Sequence, residues 1–113
     1  MINIDSNINT EEGYYELMVG GEVDASSSIH LDTALHQAME DEQKIIVNLS
    51  ELEYISSAGL GVFMSILQDL ENKNIGLVIF GMKEKVFEVF EILGLDQLMV
   101  IKKDKDEALA FLK

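Results

Sequence analysis

The run Ile45-Ile46-Val47-Asn48-Leu49 constrains this chain most. It is short, β-branched and apolar on both faces, as a central strand covered on two sides should be. A second such run extends from Ile75 to Phe80. Between the two, Leu60, Phe63, Ile66, Leu67 and Leu70 recur at helical spacing and predict a helix from about Ala58 to Asn72. Strand, helix and strand in this order predict a right-handed βαβ unit with parallel strands. The turn that opens the helix then lies at the carboxyl end of a central strand, where open α/β sheets usually place their sites.

The flanking segments extend this pattern. Ile2 to Ile8 and Tyr14 to Val19 read as strands, with Asn9 to Gly13 as the turn between them and Gly20-Gly21 ending the second. Ser26, Ser27 and Ser28 offer N-caps to a helix running through about Asp41, with Leu31, Leu35, Ala38 and Met39 on its buried side. Lys83 to Leu93 reads as a helix burying Val86, Phe87, Phe90 and Leu93, with Gly94 as its C′ residue. Met99 to Ile101 reads as a short edge strand. Asp104 with Glu107 resembles a capping box, opening a last helix with Ala108, Leu109 and Leu112 inward. The expectation is one domain over residues 1–113. It is an α/β layered fold, with a mixed sheet of four to five strands packed with about four helices.

Composition removes several functional classes. The 113-residue chain has no cysteine, which excludes disulfides, thiolate metal sites and cysteine nucleophiles. The start, Met1-Ile2-Asn3-Ile4-Asp5, has neither a basic region nor a long apolar one, and no apolar run approaches the roughly 18 residues of a membrane span. A soluble cytoplasmic protein is expected. The formal charge of −13, from 21 acidic and 8 basic residues, opposes binding to nucleic acid and to anionic membranes. It would instead attract and steer a basic protein partner.

The residues with chemical potential sit in Tyr54-Ile55-Ser56-Ser57-Ala58-Gly59-Leu60-Gly61. Two serines stand where a helix begins, and a helix start tolerates an anion because its N–H groups are free and carry partial positive charge. A hydroxyl there caps the helix or accepts a phosphate. Nucleophilic catalysis by Ser57 lacks a base. His30 and His36 are six apart on one helix, and neither serine lies in a Gly-x-Ser-x-Gly elbow. The two histidines are not spaced as metal ligands, and no metal or cofactor is expected. Gly59-Leu60-Gly61 matches neither a dinucleotide fingerprint nor a P-loop. Glycines in the first turn leave a flat patch where another protein can approach, although packing against a neighbouring strand would also explain one of them. Ser57, Gly61, Met64 and Gln68 fall on one outward face of the helix, with Met64 either a rim residue or an adaptable protein contact.

Together these residues resemble the small anti-sigma-factor antagonists, single STAS domains of bacterial partner-switching systems. Gly21-Glu22-Val23-Asp24 looks like the Gly-Glu-Leu/Val-Asp element after the family's second strand. Ile46-Val47-Asn48-Leu49-Ser50 followed by Tyr54-Ile55 looks like the approach to the switch. Ser57-Ala58-Gly59-Leu60-Gly61 falls on the Asp-Ser-Ser/Thr-Gly-Leu-Gly signature, and Val86 to Leu95 looks like the late helix and its glycine turn. The resemblance implies a STAS fold and a phosphorylated serine at Ser57. It implies a serine kinase that doubles as anti-sigma factor, and a phosphatase that reverses the modification. It places Asp24 near the phosphosite, with Ser56, Ala58 and Gly59 beside Ser57 in the sequence. The face expected to bind the partner, Gly59, Gly61, Met64 and Gln68, follows from glycine chemistry and helical spacing. Two positions depart from the signature. Ser56 stands where the family has aspartate, making it a rival acceptor, and Ala58 stands where serine or threonine is frequent.

The expected mechanism is a switch. Unmodified Ser57 caps or starts the helix and leaves the outward face free for the kinase, and phosphate then blocks that contact. A constitutive STAS subunit of a transporter or signalling complex is the alternative. A small serine hydrolase is the alternative of another class.

Overall fold

In the computed structural model, which describes all 113 residues, the apolar run at 45–49 forms a central strand. The elements in chain order are β1 (Ile2–Asn9), β2 (Tyr14–Val23), α1 (Ser28–Asp41), β3 (Lys44–Asn48), β4 (Leu52–Ile55), α2 (Ser57–Asn72), β5 (Gly76–Phe80), α3 (Glu84–Ile92), α4 (Leu95–Leu98), β6 (Val100–Lys102) and α5 (Lys105–Leu112). The mixed sheet runs β1-β2-β3-β5-β6, with β4 paired to β2. Only β1 is antiparallel to its neighbour, and every other pairing is parallel.

Helices cover both faces of the central strands, which is why Ile45, Ile46 and Val47 are all buried. The larger core lies under α1, α2 and α3, where Leu31, Leu35, Phe63, Ile66, Val86 and Phe90 pack on one sheet face. Phe63 and Phe90 meet with ring centroids 5.5 Å apart and planes tilted by 56°, a favoured aromatic geometry. A smaller core of Tyr14, Ile46, Val78, Phe80 and Ala108 fills the other face beneath α5.

Several expectations need correction. The sheet has six strands, and there are five helices rather than about four. The additional strand is β4, whose inward residues are only Leu52 and Ile55, too short to show a period. The additional helix is the single turn α4. Gly20-Gly21 does not end β2. The strand continues to Val23, pairing with β3 through Met18 and with β4 from Gly21, and the β4 register shifts between Gly21 and Glu22, where Glu53 is the extra residue. Gly21 has φ +79°, and a Cβ on it would lie 2.0 Å from the Met1 carbonyl oxygen. These glycines therefore allow the close approach of Met1 and Glu51 where β2 changes from β3 to β4 along one side.

Leu93 is exposed rather than buried, because the chain turns at Gly94 (φ +75°) and Leu95 takes the inward place. Phe87 is only half-buried. Gly94 does follow the end of α3 as its C′ residue, donating its N–H to the Glu91 carbonyl at 3.0 Å. The cap of α5 also forms as the sequence indicates, with Glu107 N–H donating to Asp104 Oδ1 at 3.0 Å.

Candidate functional site

Two helix starts meet at the carboxyl end of the sheet. β2 ends at Val23, opposite Ile55 at the end of β4. The Ser56 N–H donates to the Val23 carbonyl at 2.8 Å and locks the two exits side by side. Asp24 and Ser56 are the next residue along each strand, so register alone brings the acidic turn to the serine pair. α1 grows from one exit and α2 from the other.

Of the two roles expected for Ser57, capping or starting the helix, the structure shows the second. Ser56, not Ser57, is the N-cap of α2: its backbone is extended (φ −83°, ψ 171°) and its hydroxyl accepts from the Gly59 N–H at 3.3 Å. Its carbonyl accepts the first helical bond, from Leu60 N–H at 3.0 Å. Ser57 is the first helical residue. It is exposed, and its hydroxyl takes no part in the cap. The physical reason is geometric. A cap needs an extended backbone whose side chain turns back onto the first turn, and the last residue before the helix has that geometry.

Gly59 and Gly61 also separate. Gly59 is buried, and a Cβ there would lie 2.7 Å from Ile55 Cγ1 and 2.8 Å from Val23 Cγ1. It is a packing glycine that lets α2 sit on the β2 and β4 strand ends, so its expected place on the partner-binding surface is corrected. Gly61 is exposed, and a Cβ there would meet nothing within 4 Å. Met64 is 44% exposed. Gln68 is exposed, its amide donating to Asn72 Oδ1 at 3.2 Å. Ser57, Ala58, Gly61, Met64 and Gln68 thus share the solvent side of α2.

Asp24 organises the other helix start. Its Oδ1 accepts from Ser26 Oγ at 2.8 Å, from Ser27 N–H at 2.9 Å and from Ser27 Oγ at 2.9 Å. Its own N–H donates to Ser27 Oγ at 2.9 Å. The Ser27 backbone bond, then the Ser26 and Ser27 hydroxyls, hold the carboxyl at about 2. Ser26 and Ser27, expected as caps of α1, instead donate to Asp24, since an ionised carboxylate is the stronger acceptor.

Three further features at this end were not assigned a role from the sequence. Glu53 on β4 receives Lys83, which precedes α3, and Lys85 within it at 3.0 Å. Lys83 first and then Lys85 pull its pKa to about 2. Tyr54 (52%) and Ile29 (65%) are large side chains left exposed. Ile29 had a signal, as an apolar residue at the polar start of a helix; Tyr54 was read as part of the approach to the helix, but its exposure and the pairing of Glu53 could not be read because β4 itself was not recognised. Of the histidines, His36 lies 3.4 Å from Asp32 and 3.9 Å from Asp69 and so bridges α1 to α2.

With this geometry in view, comparison with known proteins is informative. The STAS domain family matches residues 5–108. An anti-sigma-B factor antagonist of Staphylococcus aureus is 34% identical over 99 residues, covering 87% of this chain and 92% of that protein. Among solved structures, the anti-sigma factor antagonist SpoIIAA in its unphosphorylated form superposes with TM-score 0.79 at 20% identity, over 97% of this chain and 96% of that one. The Bacillus cell fate determinant SpoIIAA in its phosphorylated form gives 0.71 at 19% identity, over 98% and 100%. At those identities the two structures speak for the fold, while the family match and the staphylococcal relative speak for descent. The chain therefore belongs to the STAS domain family, among the anti-sigma-factor antagonists.

Proposed function

We propose that this protein is a phosphorylation-switched binding module. Unphosphorylated, it binds a serine kinase that serves as anti-sigma factor; phosphorylation of Ser57 releases it, and a phosphatase restores it. It acts in the cytoplasm, as its partners would require, and it catalyses nothing itself. The observation that carries the reading is the division between the serines. Ser56 makes the cap, so the Ser57 hydroxyl is exposed and uncommitted at a helix start.

A phosphoryl group brings about −1.5 to −2 charges at neutral pH. At the first turn of α2 that charge is favourable by roughly 0.3–1 kcal/mol. The fold then tolerates modification, and the effect falls on the contact. Ser57, Gly61 and Met64 form a small, nearly uncharged surface on which a close partner would have to bury the phosphate unpaired. Ser56 serves in this reading as the cap that frees its neighbour, which explains how the site works without the family's aspartate.

The test is incubation with ATP and the cognate kinase, read by intact mass. The wild type and Ser56→Ala should each gain one phosphate, and Ser57→Ala none. Phosphate retained on Ser57→Ala and lost from Ser56→Ala would move the acceptor to Ser56. No phosphate on any form would favour a constitutive binding module.

A further inference from the structure

Three strands, β1, β4 and β6, pair on one side only, and they are finished differently; β4 is four residues long and packs beside α3. β6 is three residues long, ends in Lys102 and is followed by Lys103. Short length and lysine are the usual ways to keep an edge from pairing. β1 is eight residues long, contains neither proline nor lysine, and carries one charge, Asp5. It pairs with β2 on one side only.

Its free hydrogen-bonding groups can be assigned. Glu22 N–H donates to the Met1 carbonyl, and Asn3 lies opposite Gly20. In an antiparallel pair, bonded and non-bonded positions alternate. Odd-numbered residues of β1 therefore bond to β2, and Ile2, Ile4, Ser6 and Ile8 turn their N–H and C=O groups to open solvent. The side chains are sorted too. Ile2 and Ile4 pack against the larger core, while Asn3 and Asp5 face the opposite side. There a depression of about 490 Å³ is lined by Asn3, Asp5, Gly20, Gly21 and Glu51. It has two carboxylates and no cation.

We propose that β1 docks an extended, lysine- or arginine-bearing segment of a partner protein, which adds to the sheet as a further strand. Main-chain bonds to Ile4 and Ser6 give the pairing. Alternate cationic side chains drop into the depression beside Asp5 and Glu51. Charge selects this occupant over a second copy of the chain. The first 43 residues contain no lysine or arginine, and the whole carries −13, so two β1 edges would bring acid against acid. Asn3 and Asp5 lie on the sheet face opposite the core that α2 covers, and the inference does not depend on the switch.

A short acetylated peptide of alternating lysine and valine is the probe, against a peptide of equal charge in which the valines are proline. Amide exchange and chemical shifts are followed on the labelled protein. The Lys/Val peptide should slow exchange at Ile4 and Ser6, while the proline peptide should not. Asp5→Lys should weaken binding roughly tenfold by placing like charge at the edge. Ser6→Pro, which removes an outward N–H, should abolish the protection. Equal binding of both peptides would reduce the effect to diffuse charge attraction and overturn the proposal. Protection of Ile4 and Ser6 without peptide, in a chain that sediments as a dimer, would overturn it in favour of self-pairing.

Discussion

At the scale of single residues, neighbouring positions of the same type do different work. Ser56 caps α2 and Ser57 is free, so their alanine variants should part company. Ser56→Ala leaves the Gly59 N–H without its acceptor and should cost about 1 kcal/mol. Ser57→Ala removes an exposed hydroxyl outside the cap and should stay within about 0.5 kcal/mol of wild type. Urea unfolding of the two variants separates the roles, and a larger loss from Ser57→Ala would place the cap on the other serine. The glycines divide in the same way. A methyl on Gly59 collides with Ile55 and Val23, an overpacking cost of about 1–3 kcal/mol that outweighs a helix-propensity gain of roughly 1 kcal/mol. A methyl on Gly61 meets nothing within 4 Å, so Gly61→Ala should stabilise the fold by roughly 0.5–1 kcal/mol. It should also weaken partner binding by lifting the contacting surface. Thermal melts beside a partner titration would show stability and affinity moving in opposite directions for Gly61→Ala.

At the scale of elements, the acidic turn before α1 gives a pH dependence with a defined sign. Asp24 accepts three hydrogen bonds and has a pKa of about 2, against an ordinary value of 3.8. A lowered native pKa means the carboxylate stabilises the fold in full above about 4 and progressively less as pH falls toward 2. The melting temperature of wild type should exceed that of Asp24→Ala by a constant margin above pH 4, and the two curves should converge as pH falls to 2. The variant comparison is needed because Glu53, also near 2, titrates over the same range. A margin that widens on acidification would disprove the role given to Asp24.

The same scale shows what was legible in the sequence. β3, α2 and β5 declared themselves because their apolar residues follow a strand or helix period long enough to read. β4 did not, since two inward residues in four make no period. Gly20-Gly21 read as a stop because a glycine pair inside a strand and one at its end share the same local chemistry. Only the pairing of β2 with two neighbours tells them apart, and that is a long-range property. At the site, the outward stripe Ser57-Gly61-Met64-Gln68 followed from helical spacing. The inward place of Gly59 did not, because it depends on where the ends of β2 and β4 pass beneath α2.

At the scale of the whole molecule, net charge bears on how the proposed switch would act. The chain carries −13, and phosphate adds only about −1.5 to −2 to this. The long-range field that steers a basic partner is therefore nearly the same in both states. A switch working through that field would be weak. One working at the contact is strong, because an unpaired charge in a desolvated interface costs several kcal/mol. This separates the two rate constants. Association with the kinase should slow as salt rises, since exposed charges are screened beyond a Debye length of about 10 Å at 0.1 M. Ser57→Asp, which adds a single charge at the same spot, should leave that salt slope unchanged and speed dissociation instead. Surface plasmon resonance across a salt series measures both at once. A salt-independent on-rate would remove steering from the mechanism. A Ser57→Asp variant that altered only the on-rate would place the switch in the field of the protein rather than on the face of α2.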